Sequence, residues 1–540
     1  MVGERRGPRD VLDARLLPAA LCCWMTTLVV IRGGWPVGVV VAVVVSASSV
    51  AIWVISRAKA AGVLARGGTG ARRHRVWAAV VVAASGLTLG FALSAGWRVH
   101  QVDVHPLGDM GERARIEVTV TPSGDPKPLR GRSFDGRQQW VVRAELREYR
   151  RGGVHTRGGG AVVVLAGGPG WATLSPGQAI TFDARVGRPD RRDLTVAVLR
   201  AEGQPAIAGP LPWWQRVAGV VRADLRAAAT RALPEEAAGL LPALVVGDTG
   251  GLAESVRDEF EIAGLQHLCV VSGANFAIVG TAVLAGARRL TLGPRASVGV
   301  AAGAMAMFVV IARPDPSVLR AAAMGAVTLI ALLTGRRKQA LPALCAAVIG
   351  VLLIWPELAV SAGFALSVLA TGGLILLAPD WSDRLRDRGW WRLPAELVAV
   401  SAAAFTVTLP IMVALTGRVS VVAIAANVLV APVVAPITVV GALAAAVAWL
   451  WLPLAQAVLH LAAPPMWWLL TVGDRAAGLP GAAIDVPGGT AGGIGAAAAA
   501  LSVVLLIRSR APIGRPAPGT VRSAASTRPP TRFRSPGRGP

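Results

Sequence analysis

The sequence predicts a polytopic α-helical membrane protein of about twelve spans, with a small extracytoplasmic β-barrel of the OB type inserted after the third. Three observations predict it. Several apolar runs exceed the ~18 residues that mark a membrane span. Only 16% of the 540 residues are charged and 54% are hydrophobic, with a mean hydropathy of +0.55; average soluble domains carry about 25% charged residues. In one stretch, roughly 97–210, the apolar period changes to two, the signature of half-buried strands. A soluble cytosolic enzyme is excluded.

The N-terminal region, 1–96, carries spans near 16–31, 36–55 and 76–96. The loop between the second and third holds Arg57, Lys59, Arg66, Arg72, Arg73 and Arg75 with no acid, which places it in the cytoplasm. The N-terminus, with Arg5, Arg6, Arg9 and Arg15, lies on the same side. A second span follows soon after Gly33-Gly34, so the first reads as an uncleaved anchor rather than a signal peptide.

In 97–210, Ile116, Val118 and Val120 alternate with polar residues, as do Trp140, Val142, Ala144 and Leu146, then Phe182, Ala184 and Val186. With the runs at 161–165 and 194–199 this makes about five short strands between Gly/Pro/Asp turns. The stretch holds 17 basic and 12 acidic residues. Trp140, Tyr149, Phe134 and Trp171 are its only platforms for stacking bases, and alternation gives most of them a place in the core instead.

Segment 211–265 begins with an interfacial helix near 213–234 bearing Arg216, Arg222, Asp224, Arg226 and Arg231. Region 266–507 reads as nine spans: 266–288, 295–312, 317–335, 340–355, 358–378, 395–416, 420–452, 455–474 and 491–507. Basic loops at Arg288-Arg289, Arg336-Arg337-Lys338 and 384–392 fall on the cytoplasmic side of that count. Pro432 and Pro436 predict a break or re-entrant turn within 420–452. The tail, 508–540, has eight Arg and no acid and reads as a disordered cytoplasmic segment drawn to anionic lipid or nucleic acid.

Charge divides between two readings. The formal net charge is +24, which suits cytoplasmic loops as well as a polyanionic partner. Cys22, Cys23, Cys269 and Cys345 all lie in apolar segments, so neither a disulfide framework nor a zinc site is expected. The six His form no H-x-H-x-D-H cluster, and no G-x-x-x-x-G-K-[ST] string occurs. The expectation is therefore no metal, no cofactor and no ATP use in this chain.

The most informative stretch runs from Leu244 to Val279. It opens with the polar turn Gly247-Asp248-Thr249-Gly250-Gly251, continues as an amphipathic helix ending near Gly264, and enters a span at His267. On an ideal helix His267, Asn275 and Ser272 stand at about 0°, 80° and 140°, one polar sector on an apolar span. Polar groups inside spans are costly and usually functional; hydrogen bonds to neighbouring helices account for them equally well.

GDTGGL, followed by F-x-x-A-G-L-x-H-L-x-x-x-S-G-A-N, resembles the core of the ComEC family of competence proteins. R-P-D-P-S-V-L-R-A-A-A-M from 313, G-R-R from 335, W-P-E-L-A-V-S-A-G-F-A-L-S-V-L-A-T-G-G from 355, T-L-P-I at 408–411 and A-N-V-L-V-A-P from 426 extend the resemblance over about 235–475. The insert at 97–210 is similar to the family's extracytoplasmic domain. The family's usual motif has a second His where this chain has Asn275. Many relatives end in a metallo-β-lactamase-like domain; nothing folded is expected after 507, so no nuclease activity is expected here.

The resemblance implies a bacterial inner-membrane channel for single-stranded DNA in natural transformation, with both termini cytoplasmic. Its partners would be single-stranded DNA and membrane lipid, with room for a separate DNA receptor, motor ATPase and nuclease; oligomeric state stays open. Candidate path residues are Asp248, His267, Ser272, Asn275, Arg320 and Asn427, with Ser361 and Ser367 beside them. Two other activities stay open: a secondary transporter of a small solute, and an intramembrane hydrolase built from Asp248, His267 and Ser272. For the latter, His267 and Ser272 lie about 140° apart on one helix, which is poor for a direct hydrogen bond.

Overall fold

A computed structural model describes residues 13–65, 71–111, 114–132, 138–313, 316–333 and 340–509. The basic tail beyond 509, Arg336-Arg337-Lys338, Phe134, and Arg5, Arg6 and Arg9 lie outside them. Three helices come first: α1 (Leu17–Gly33), α2 (Trp35–Ala65) and α3 (Ala71–Asp103). A single turn, α4 (Pro106–Asp109), joins them to a sheet domain; the His105 ring accepts the Leu107 N–H and caps it.

Among the described residues the sheet domain has seven strands where the alternation predicts about five. They are β1 (Arg115–Pro122), β2 (Lys127–Arg132), β3 (Gln138–Arg151), β4 (Val154–Arg157), β5 (Ala161–Gly167), β6 (Ile180–Gly187) and β7 (Thr195–Ile207). The two extra strands, β2 and β4, pair only with β3. β1 pairs antiparallel with both β3 and β6, β6 with β7, and β3 with β5, while β5 and β7 run parallel. Alternate residues fill the core: Ile116, Val118 and Val120 meet Val142, Ala144, Phe182 and Ala184. Trp171 is fully buried against Phe182 and donates its indole N–H to the Gly203 carbonyl at 3.1 Å. Tyr149 is buried and Trp140 packs against the same core, so these rings serve packing, as the alternation implies.

The second half is helical: α5 (Trp213–Ala232), α6 (Glu235–Val246), α7 (Glu254–Ile262), α8 (Gly273–Arg289), α9 (Pro294–Ala312), α10 (Pro316–Leu333), α11 (Ala340–Ile354), α12 (Ala362–Leu376), α13 (Ala378–Asp387), α14 (Arg392–Thr416), α15 (Ala423–Ala448), α16 (Leu452–His460), α17 (Ala463–Ala477) and α18 (Gly489–Ser509). A short ladder of β8 (Arg418–Ser420) and β9 (Ala483–Asp485) ties the start of α15 to the end of α17. The largest core gathers around α6, whose Leu240, Leu241 and Leu244 meet Leu225 of α5, Phe260 of α7, Ile437 and Ala444 of α15, and Met466 of α17. α6 lies inside the segment expected to be interfacial. It is instead a buried core helix, because ten of its residues, from Ala237 to Val246, are apolar or small and leave no face for water.

The count of twelve spans is not met. Six helices among the described residues are long and apolar enough to cross a membrane: Trp35–Ile55, Pro294–Ala312, Ala362–Asp387, Arg392–Thr416, Ala423–Ala448 and Gly489–Ser509. Leu17–Gly33, Val318–Leu333 and Ala340–Ile354 are apolar but shorter. At 1.5 Å per residue a 15-residue helix such as α11 reaches only about 22 Å, against a hydrocarbon core of ~30 Å. The expected span 455–474 is divided between α16 and α17, and that at 266–288 begins as a helix only at Gly273. The expected break at Pro432 and Pro436 is also absent: both lie inside the continuous helix α15. In the turn before the first, Trp468 of α17 donates its indole N–H to the Leu429 carbonyl at 2.9 Å.

Candidate functional site

The turn after α6 is built by its glycines and one carboxylate. Gly247 closes α6 in the left-handed region, φ +73°, which favours glycine. The Asp248 side chain accepts the Gly250 N–H at 3.3 Å and caps the turn Thr249–Gly251. The turn lies hard against α6: a Cβ on Gly239 would stand 2.1 Å from the Gly251 carbonyl oxygen. A glycine in mid-helix therefore marks a close backbone approach.

Two arginines one turn apart on α5 hold this corner. Arg226 donates through Nε to Asp248 Oδ2 at 2.9 Å, and its Nη2 reaches both carboxylate oxygens. Arg222, nearly buried, donates through Nη2 to the Gly247 carbonyl at 3.0 Å and to Asp125 Oδ2 at 3.4 Å. Asp125 belongs to the loop between β1 and β2, and its other oxygen pairs with Arg313 at the end of α9. Gly247 is packed against that same end, since a Cβ there would stand 3.2 Å from the Ala312 carbonyl oxygen. Three guanidinium groups thus share two carboxylates along a seam joining the sheet domain, α5, the Asp248 turn and α9.

The polar residues after the turn do not share one helical face. His267 lies on a separate short turn, Gln266–Leu268, and is exposed. Ser272 is the N-cap of α8, its hydroxyl accepting the Asn275 N–H at 3.2 Å. The expected angles of 0°, 80° and 140° fail because the chain does not run as one helix from His267 to Asn275; serine is a preferred N-cap residue, and α8 starts after Ser272. Asn275, 1% exposed, donates to the Leu244 carbonyl at 2.9 Å and accepts from Thr438 Oγ1 at 3.4 Å. It ties α8 to α6 and α15.

Asn427 on α15 donates to the Gly264 carbonyl at 3.3 Å and to its own helix at Ala423, a joint separate from the seam. Ser361 caps α12. Arg320 on α10 is buried, with Nε donating to Ser367 Oγ at 2.8 Å. Asp248 is engaged by Arg226 and Ser272 by α8, so the two do not meet His267 in a Ser-His-Asp relay among the described residues. No group of three His, Cys, Asp or Glu among the described residues is placed to hold a metal ion.

Sequence reading missed Arg222, Arg226, Arg313 and Asp125 as a unit. The i, i+4 spacing of Arg222 and Arg226 was a signal, since it puts both on one side of α5. Asp125 carried none, its partners being 97 and more positions away in sequence.

The family model described as Competence protein matches residues 244–511. The chain is 28% identical over 200 residues to ComE operon protein 3 of Bacillus subtilis (strain 168). That match covers 37% of this chain and 25% of the relative, so the chain spans about a quarter of the curated relative's length. The matched region opens at Leu244, the residue that receives Asn275, and includes the Asp248 turn, the capped start of α8 and Arg320. Over residues 244–511 the chain is thus similar to the ComEC family of competence proteins.

Proposed function

We propose that this protein is a channel carrying single-stranded DNA across the bacterial cytoplasmic membrane. The observation that carries the reading is the arginine seam: the sheet domain's Asp125 meets Arg222 of α5 and Arg313 at the end of the apolar helix α9. A polyanion needs guanidinium or N–H donors along its route and no ring of carboxylates. Between 269 and 507 the sequence holds only eight acids. In this reading Asp248, Ser272, Asn275, Arg320 and Asn427 shape the route through the helices, with exposed His267 at its approach.

The sheet domain lies outside the cytoplasm in this reading. Its pairings run β1–β3–β5–β7–β6 and back to β1, with β5 and β7 parallel. That cyclic order supports an OB-like barrel. With no P-loop string in the sequence, the driving force comes from a partner ATPase or an ion gradient, and strand degradation from a separate nuclease. Both termini face the cytoplasm, set by the basic loops.

The test is transformation frequency in a strain lacking this chain, with and without a plasmid-borne copy. Loss of transformants that the copy restores supports the channel. Normal transformation without it removes the reading, and uptake of a labelled small anion in place of DNA favours a solute transporter.

A further inference from the structure

Arg320 is a buried cation with no anion beside it among the described residues. It is 6% exposed, on α10 between α8 and α12. Its Nε bonds Ser367 Oγ at 2.8 Å and its Nη1 the Met324 sulfur at 3.3 Å, both neutral acceptors. Among the described residues no carboxylate pairs with it. Its Nη2 points at the first residue of α8, where a Cβ on Gly273 would stand 2.8 Å away. Gly273 thus lets a guanidinium lie against a helix end that any other residue would cover.

That helix end is itself positive. The N-terminus of an α-helix carries roughly half an elementary charge, with N–H groups lacking partners. Ser272 satisfies the Asn275 N–H. Among the described residues the N–H groups of Gly273 and Ala274 make no hydrogen bond, and Ala274 is exposed. Two positive features face each other in a mostly buried place, and an uncompensated buried ion is costly. An oxyanion between them would accept from Nη2 and from the free N–H groups, and would neutralise both.

The geometry points to an oxyanion site formed by Arg320, Ser367 and the start of α8, which receives a backbone phosphodiester of the DNA strand in passage. This rests on the channel reading above and adds a place and a chemistry to it. A single guanidinium with one helix end holds a phosphodiester without trapping it, as conduction requires. It also explains why SGAN at 272–275 and the arginine of R-P-D-P-S-V-L-R belong together: the first caps and bares the helix end, the second supplies the cation.

The test uses the full chain in proteoliposomes, with fluorescent oligothymidylate outside and a driving potential. Arg320→Gln lowers strand entry roughly tenfold to a hundredfold, the loss of charge-assisted hydrogen bonds, and Arg320→Lys restores part of it. Gly273→Ala, which keeps the guanidinium but pushes it off the helix end, lowers entry as well. A methylphosphonate oligothymidylate, without backbone charge, enters wild-type and Arg320→Gln vesicles at the same rate. Wild-type entry in Arg320→Gln protein of unchanged thermal midpoint overturns the site and leaves the channel standing. Should that variant not fold, wild-type entry in Gly273→Ala overturns it equally. Vesicles that take up inorganic phosphate but no strand overturn the proposal in favour of small-anion transport. No entry of any strand into wild-type vesicles removes the channel reading, and the site's phosphodiester role with it.

Discussion

The Arg226–Asp248 pair is asymmetric, and that asymmetry gives the sharpest prediction. The Arg226 side chain is 50% exposed and the Asp248 side chain 7%. Removing Asp248 leaves a guanidinium that water can reach, so Asp248→Ala costs only the bidentate contact and the turn cap, about 1.5 kcal/mol. Removing Arg226 leaves a buried carboxylate whose remaining bond is a 3.3 Å contact from Gly250 N–H. Stranding a buried charge costs about 3 kcal/mol, so Arg226→Ala is the worse single change. The double variant loses the stranded charge and returns close to Asp248→Ala.

The assay is the thermal midpoint of detergent-solubilised protein, followed by tryptophan fluorescence. Proteolysis at the 247–251 turn reports local opening, because a polytopic protein need not melt in one step. The order expected is wild type, then Asp248→Ala and the double variant together, then Arg226→Ala. An additive double variant, worse than either single change, would refute the argument: the pair would then be two independent surface contacts. Asp248→Ala falling below Arg226→Ala would refute it too, by showing that the carboxylate matters mainly through the turn.

Three further outcomes follow from close contacts elsewhere. Gly239→Ala puts a Cβ 2.1 Å from the Gly251 carbonyl oxygen, so α6 and the Asp248 turn must separate; the loss is about 2 kcal/mol, read as a lower thermal midpoint and faster cleavage at the turn. Asn275→Ala leaves the Leu244 carbonyl unsatisfied in the core and costs about 2 kcal/mol, while Asn275→Asp, which buries a charge there, costs more; a midpoint unchanged by either would show the Asn275 bonds to be idle. Burial holds the His105 imidazole below its ordinary pKa of 6.5, against a smaller opposing pull from the Gly159 backbone. Its Nδ1 accepts the Leu107 N–H, so the neutral form is the folded one. Because its folded pKa is depressed, this contribution is complete above pH 6.5 and is lost as pH falls through the folded value. Exchange protection of the Leu107 amide drops on acidification in the wild type and stays level in His105→Asn, whose side chain caps without titrating.

What the sequence made legible was period and motif. The strands with clean alternation, β1, β3 and β6, were readable because one face is buried and the other wet, as at Ile116, Val118 and Val120. β2 and β4 were not, being short edge pieces whose pairing to β3 leaves no alternating burial to read. α6 was hidden by the opposite cause: from Ala237 to Val246 every residue is buried, and a helix apolar all round has no face to announce it. The prolines of α15 misled because a local rule assigns them a break, whereas the helix runs on through both, packed against its neighbours in the core.

At the site itself, residue types were legible and their geometry was not. Asp248, Ser272 and Asn275 are polar positions in an apolar half, and each bonds a backbone group the sequence could not place, while Arg320 bonds the Ser367 hydroxyl and the Met324 sulfur. Asp248 and Ser272 bind N–H groups of their own turns, and Asn275 reaches the Leu244 carbonyl. Treating 267–275 as one ideal helix put Ser272 and Asn275 on a common polar sector; in fact the helix begins between them and the hydroxyl is spent on its start. That displacement changes the chemistry. A serine in mid-helix would be a lining hydroxyl, whereas a serine at the cap leaves the Gly273 and Ala274 N–H groups as the donors. The glycine beside it is what brings a guanidinium to that end. A helix terminus beside one buried arginine is therefore an electropositive feature of the apolar half, and the +24 of the whole chain was no guide to finding it.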